Sequence, residues 1–391
     1  MNLGGGAPQR PPQRVCFFGT YAREHAVTRL LADACQAAGI EVLECHRPLW
    51  EKTPHKHAHY FGARSAGRLL AEYTCHAVAL ARSQRRIGKV PLYVIGFGGQ
   101  LDCLLLRLLL VRHPTPVVLA PLVTLSETLV EDRGVFRPGS LRARLAALLD
   151  RASLWLPARV VMDTEAHRRY VIDTFGVAPA RVATWYLGAD TRVFTPTPLF
   201  DGDGPLRVLF YGSFVPLHGT DTVLQAAALL QARHDIEFVL AGDGPARQAS
   251  VAYARRHGLD RVRFLDWMPY ESLGQLVASA HVCLGIFGTS PKAQMVIPNK
   301  VYQAAAVGRP VVTADTAAVR EVFTHGDTAW LCRAGDPAAL ADAIATLAAD
   351  AGTRKCLAAR AAALMADRFA PTAQGQRLAA IFAAAAGASP A

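Results

Sequence analysis

No two of the eight cysteines stand in a CxxC pair: Cys16, Cys35, Cys45, Cys75, Cys103, Cys283, Cys332 and Cys356 are scattered through 391 residues. That spacing argues against a zinc ribbon and a dithiol redox motif and fits reduced thiols in a cytosolic chain. A membrane-spanning run is missing as well, because the most apolar stretch, residues 101–123, is broken by Arg107, Arg112, His113, Pro114, Pro116 and Pro121. Residues 1–14 lack the apolar core of a signal peptide and read as a disordered tail. No aromatic platform is interleaved with the arginines, which puts nucleic acid last among the anionic partners. His55, His57 and His59 alternate without a nearby carboxylate or cysteine to complete a zinc site, so residues 46–61 read as a basic mobile loop.

The excess of positive charge lies in one half only. Residues 1–195 hold 25 Lys+Arg against 15 Asp+Glu, a balance of +10, and the remainder holds 17 against 16, or +1, which together make the net +11. A basic half facing an anionic membrane surface or a phosphorylated substrate fits this asymmetry. A solvated arginine-rich face fits it too.

Strand and helix alternate along both halves. In the first, strands are expected at 14–18, 40–45, 91–96, 117–122 and 159–162, with helices at 23–38, 64–87, 140–156 and 164–175 and one carrying Asp102. In the second, strands are expected at 206–211, 236–241, 262–265, 281–287, 311–314 and 330–332, closed by helices at 352–367 and 372–386. Residues 196–205, dense in proline and glycine, read as the linker. Asp201 and Asp203 there make a DxD, but a metal-holding pair belongs at a rigid strand end, so they read as turn residues. The expected architecture is α/β: a first Rossmann-like domain over 15–195, a second over 206–370, and a closing helix and tail over 371–391 whose return to the first domain is left open. Ligands then belong in the crevice beyond the carboxyl ends of the strands.

The stretch 286–312, IFGTSPKAQMVIPNKVYQAAAVGRPVV, joins an apolar strand, an irregular loop and a small-residue helix. Pro298 and Asn299 start that helix and Gly308 ends it, so its first turn offers unpaired N–H groups, a positive dipole end and Lys300 to an anion. A plain helix-to-sheet packing unit with a surface lysine fits equally well. Gly212 to Gly219 and Ala293 to Lys300 each lead into a helix N-terminus and suit a diphosphate held by backbone amides, and a third turn, Gly242-Asp243-Gly244, allows close backbone approach beside them.

At these residues the chain resembles the family 4 glycosyltransferases with the GT-B fold. The segments VLFYGSFVPLHGTDTVLQAAALL, FVLAGDGP, FLDWMPYESL, IPNKVYQAAAVGRPVV and REVFTHGDTAWL are similar, in that order, to the family's donor-binding half, and YLGADTRVF to its interdomain signature. FFGTYAREHAVTRL, ECHRPLW, GGQLDCLLL, PLVTLSETLVEDRG and DTEAHRRYV resemble the first domain of a bacterial subgroup. The resemblance implies two doubly wound domains facing across a cleft. It also implies a UDP- or GDP-sugar donor on the second domain, an acceptor on the first, retention of anomeric configuration, and no metal or other cofactor. The family usually has two glutamates separated by seven residues, which fall here on Met295 and Gln303. Its usual lysine before the glycine of the first donor loop falls on His218, and the histidine common in its first-domain glycine turn falls near Gln100.

The reading is therefore a metal-independent hexosyltransferase of envelope glycan or glycolipid synthesis. It is expected to be cytoplasmic, with a lipid-linked acceptor and a peripheral contact to the inner face of the plasma membrane. Lys300, His218, Asp102 and Asp132 are the candidate catalytic groups. Gly212, Ser213, Phe214, Gly219, Gly242, Asp243, Gly244, Trp267, Pro298, Asn299, Val301 and Gln303 join Lys300 as the donor set, with Trp267 either bordering the base or buried in the core. Gly19, Thr20, Tyr21, Glu127 and Arg133 are expected on the acceptor side. Arg64, Arg68, Arg82, Arg85, Arg86, Arg142 and Arg144 supply the positive face. A catalytically silent nucleotide-sugar-binding subunit and a sugar-nucleotide epimerase remain as alternatives.

Overall fold

The computed structural model describes residues 10–49, 63–199 and 204–387, without the side chains of 63–66 and 68–70. Residues 1–9 of the expected tail, the His55, His57 and His59 loop, Asp201 and Asp203, and the side chains of Arg64 and Arg68 lie outside the described residues. The chain divides into two compact units, one of Met1–Val130, Gly134–Tyr186 and Pro371–Ala391, the other of Glu131–Arg133 and Leu187–Ala370.

The first unit runs β1 (Arg14–Gly19), α1 (Ala26–Ala37), β2 (Glu41–His46), α2 (Ala63–Ile87), β3 (Tyr93–Ile95), α3 (Gln100–Leu109), β4 (Val117–Leu119), α4 (Leu141–Trp155), β5 (Arg159–Met162), α5 (Glu165–Phe175) and β6 (Val182–Thr184). All six strands pair in parallel, in the order β2-β1-β3-β4-β5-β6. A sheet covered on both faces needs apolar residues on both, and β1 meets this with Val15, Cys16, Phe17 and Phe18, all buried. Ser140 caps α4 by accepting from the Ala143 N–H, Thr164 caps α5 by accepting from His167, and Gly176 ends α5 in the left-handed region. Right-handed crossovers place α2 to α5 on one face of the sheet and α1 on the other.

The second unit runs β7 (Leu206–Tyr211), α6 (Thr220–Leu229), β8 (Ile236–Ala241), α7 (Arg247–Arg256), β9 (Val262–Leu265), α8 (Leu273–Ala278), β10 (Val282–Leu284), α9 (Pro291–Met295), α10 (Asn299–Val307), β11 (Val311–Ala314), α11 (Ala317–Arg320), β12 (Trp330–Cys332), α12 (Pro337–Ala349) and α13 (Ala351–Arg368). Its strands, again all parallel, lie in the order β12-β11-β10-β7-β8-β9. Val208, Phe210, Phe238, Leu240, Val282 and Leu284 form its centre, each such side chain contributing about 1.5–3 kcal/mol on burial. The last helix, α14 (Pro371–Ala386), belongs to the first unit and packs on α1. Trp185 Nε1 donates to the Gln374 carbonyl there at 3.3 Å.

Three expectations are corrected. The boundary falls at Tyr186 rather than at residue 195, since the chain joins the second unit from Leu187 onward. Phe194 packs edge-on against Tyr270, and the fully buried Arg309 donates to the carbonyls of Thr197 and Pro198 at 2.9 Å each, so 195–199 is docked chain and not free linker. β10 also ends at Leu284, not at 287, because Phe287 turns its N–H to the carbonyl of His218 at 3.1 Å. All eight cysteines are free, and burial pushes the thiols of Cys16, Cys103 and Cys283 up to about 12.

Candidate functional site

In the second sheet the crossovers reverse between β7 and β10, and the loops that leave these two strands meet there. Gly212, at φ 148, is a glycine for a steric reason: a Cβ would stand 2.9 Å from Lys300 Nζ and 3.0 Å from His218 Cε1. Phe214 takes the left-handed region at φ 42 and buries its ring edge-on against Phe210. Such strain persists where surrounding packing enforces it.

Two groups at this point are buried without a hydrogen-bond partner among the described residues, Lys300 Nζ and His218 Nδ1. The surface lysine allowed by the sequence is thereby excluded. Lys300 lies over the Phe210 ring, 4.0 Å from its centre, and His218 stands edge-on to the same ring. Burial holds the Lys300 ammonium well below its ordinary value. Burial, then the Lys300 and Arg133 charges, hold the His218 imidazolium well below its own. Arg133 also leaves Nε and Nη1 unpartnered among the described residues, and Asp132 accepts from the Leu217 N–H at 3.0 Å, so both expected first-domain residues group with the second unit. An unsatisfied buried ammonium is costly, and an anion is the partner that would satisfy it.

The remaining donor-side expectations divide. Gln303 is buried, and its Oε1 accepts from the Tyr211 hydroxyl at 2.9 Å, which leaves its NH₂ for a ligand. Asn299 Oδ1 has no partner among the described residues, Pro298 stands at the N-cap of α10, and Ser213 is exposed. Val301 is fully buried core. Gly242 and Gly244 make room for the Gly212 and Ser213 backbone, and Gly219 for the Phe287 backbone. Asp243 Oδ1 accepts from the Gly244 N–H at 2.8 Å within its own turn. Trp267 is 60% exposed, which corrects the buried-core alternative.

In the first sheet the order reverses between β1 and β3, and Asp102 at the start of α3 bridges that point. It accepts from the Thr20 N–H at 2.7 Å, the Thr20 hydroxyl at 3.0 Å and the Tyr73 hydroxyl at 3.1 Å, and lies directly under Gly19. Burial raises its carboxyl above the usual range. Tyr21 is buried beside His46, whose Nε2 meets the Tyr21 carbonyl at 2.7 Å, and Gln100 donates to the Val123 carbonyl at 3.0 Å.

Glu127 was expected to face an acceptor and instead is fully buried, 2.7 Å from His167 Nε2. His167 Nδ1 meets Asp163 Oδ1 at 2.8 Å. Burial alone would lower this imidazolium, but Glu127 and Asp163 outweigh it and push His167 up to about 10. Asp150 of α4 accepts from the Leu125 and Ser126 N–H groups at 2.8 Å each, and burial raises it to about 6. The loop after β4 is thus held by an ionic cluster that sequence reading missed. Asp163 and His167 four apart at the start of α5 were the visible signal.

Residues 205–350 match the family described as Glycosyl transferases group 1. The matched segment contains Gly212, His218, Lys300 and Gln303. An alpha-D-kanosaminyltransferase of Streptomyces kanamyceticus is 30% identical over 182 residues, 46% of each chain. A D-inositol 3-phosphate glycosyltransferase of Kribbella flavida is 28% identical over 218 residues, 51% of this chain and 50% of the relative. The match spans about half the length of these relatives. Among solved structures, Anabaena HepE in complex with UDP and glucose has a TM-score of 0.67 at 18% identity, covering 94% of this chain and 98% of that one. Sucrose-phosphate synthase from Thermosynechococcus elongatus has a TM-score of 0.72 at 17% identity, covering 94% and 97%. The fold is GT-B.

Proposed function

We propose that the chain is a retaining glycosyltransferase that moves a hexose-type sugar from a nucleotide-diphosphate sugar to an acceptor hydroxyl in cell-envelope glycan or glycolipid synthesis. The observation that carries this reading is the unpartnered, buried Lys300 ammonium beside His218 and under Gly212, within the segment that matches group 1 glycosyl transferases. A diphosphate placed there meets the ammonium, the imidazole and the first turn of α10. The bond from the anomeric carbon to the phosphate oxygen breaks as the acceptor oxygen bonds to that carbon, and the acceptor proton passes to the departing phosphate. Charge grows on the phosphate during this step, and Lys300 with the α10 dipole stabilises it. The remaining catalytic effect is placement of the hydroxyl. Anabaena HepE, which shares this fold, is solved in complex with UDP-glucose, which makes UDP-glucose the first donor to test. The reading includes a site that needs no metal, a lipid-linked acceptor, and a basic first unit lying against an anionic membrane. Among the described residues no helix is long and apolar enough to cross a membrane.

A second reading, a catalytically silent nucleotide-sugar-binding subunit, is favoured by Met295 and Gln303 standing where the resembled family carries carboxylates. Thermal unfolding with UDP-, GDP- and ADP-sugars identifies the donor, since saturating ligand raises apparent stability by mass action. Slow release of free sugar from that donor then separates enzyme from silent subunit. Absence of any stabilising nucleotide sugar would overturn both.

A further inference from the structure

On α4, Leu141, Leu145, Leu148 and Trp155 recur at helical spacing along one side, and all four are exposed, Leu141 at 72%. On α3, which packs beside α4, Leu108 and the following Val111 are equally open. Arg142 and Arg144 of α4 belong to the positive face expected from the sequence. The structure surrounds an apolar ridge with arginines: Arg112, Arg142, Arg144 and Arg151 are exposed, and none forms an ion pair among the described residues. The acidic residues of segments 100–113 and 140–156 are Asp102 and Asp150 alone, and both are buried. The ridge therefore shows cations and no anions.

We infer that the α3–α4 ridge of the first unit docks on an anionic lipid surface, with the leucines entering the headgroup boundary and the arginines on the phosphates. This rests on the membrane part of the proposed function and gives it a location. The chemistry fits a lipid surface in three respects. A solvated face has no use for five aliphatic side chains standing out of it, and contiguous exposed apolar surface marks an interaction site. Arginine stems lie along apolar surface while their heads reach outward, which suits the border between acyl chains and headgroups. Trp155 has the amphipathic ring favoured at that depth, with Nε1 donating to the Phe175 carbonyl at 2.8 Å and Arg151 over its face. A second copy of the chain would place these arginines against each other, since the ridge carries no acid to receive them.

Co-sedimentation with phosphatidylglycerol and phosphatidylcholine vesicles tests the inference, using the full chain, Leu145→Asp with Leu148→Asp, and separately Arg82→Ala with Arg85→Ala and Arg86→Ala on α2. Binding to phosphatidylglycerol vesicles is expected, surviving in part at 0.5 M salt because apolar insertion is not screened. The α4 pair should weaken vesicle affinity about tenfold, a loss of some 1.4 kcal/mol. It should leave thermal stabilisation by the identified donor unchanged, so that a misfolded variant and a failed donor reading are each seen separately. Loss of binding with the α2 variant alone would overturn the ridge and keep the membrane. Absence of vesicle binding would overturn both, and a parent that sediments as a dimer dissociated by the α4 pair would assign the ridge to a second copy.

Discussion

The Tyr211 hydroxyl donates to Gln303 Oε1 at 2.9 Å inside a buried pair. A residue of the expected donor set thus has its oxygen already engaged. Gln303→Ala should raise the donor KM by about two- to tenfold with turnover little changed, the value of one neutral hydrogen bond at about 0.5–1.5 kcal/mol. It should also destabilise the protein by about 1–3 kcal/mol, because the Tyr211 hydroxyl is left unpaired in the core. Adding Tyr211→Phe should restore part of that stability and none of the affinity. A double-mutant cycle in urea denaturation reads the coupling, and additivity within error would show that the pair is not energetically linked.

Lys300 sets function against stability. Burial holds its folded pKa well below the ordinary 10.5, so the folded state binds fewer protons than the unfolded one between those two values. Stability without donor should therefore rise with pH across that window. Lys300→Met should flatten the rise and raise the melting temperature at neutral pH, while turnover falls about ten- to a hundredfold for a lost charged hydrogen bond. A variant that turns over like the parent places the phosphate elsewhere.

His218 should couple donor binding to a proton. It is neutral in the free protein at pH 7, held so by burial and by Lys300 and Arg133. A diphosphate arriving beside it favours the imidazolium, so the complex takes up a proton and affinity weakens as pH rises. Calorimetry in two buffers of different ionisation enthalpy measures the uptake. His218→Gln, which carries no titratable group at that position, should bind without it, and equal uptake in both proteins would put the proton on another group.

His167 gives the opposite slope to Lys300. Its folded pKa of about 10 lies above the ordinary value of 6.5, so its stabilisation is complete below 6.5 and is lost as pH rises through about 10. His167→Gln should be less stable than the parent at pH 6 and approach it near pH 10. Removing one partner of a buried ion pair costs about 3–5 kcal/mol, large enough to resolve in thermal melts at each pH. A constant difference across that range would mean that the imidazole is neutral in the fold.

What was legible in the sequence was whatever depended on neighbours along the chain. β7 and β8 fall at residues 206–211 and 236–241, where their continuous apolar runs put them, and Gly308 ends α10 where a left-handed residue was needed. β6, three residues long, was missed because Val182–Thr184 is too short to show a period. The π-helical turn at Glu127–Asp132 carries no local period, and its Glu127 meets His167 Nε2 from forty residues on. Lys300 and Phe210 are ninety residues apart, and nothing local tells a lysine at a helix start that an aromatic ring will roof it. Arg309 likewise turned an apparent linker into docked chain through partners more than a hundred residues away.

The pairing of α14 with α1 has a consequence in time. A Cβ on Gly375 would stand 2.7 Å from the Ala34 carbonyl, so the two helices fit only when both backbones are present in register. During synthesis the second unit has its whole contiguous run, from Leu187 to Ala370, before the first unit has received its closing helix. The part of the chain made first is therefore the part completed last, and until residues 371–386 leave the ribosome α1 keeps an apolar flank open to chaperones.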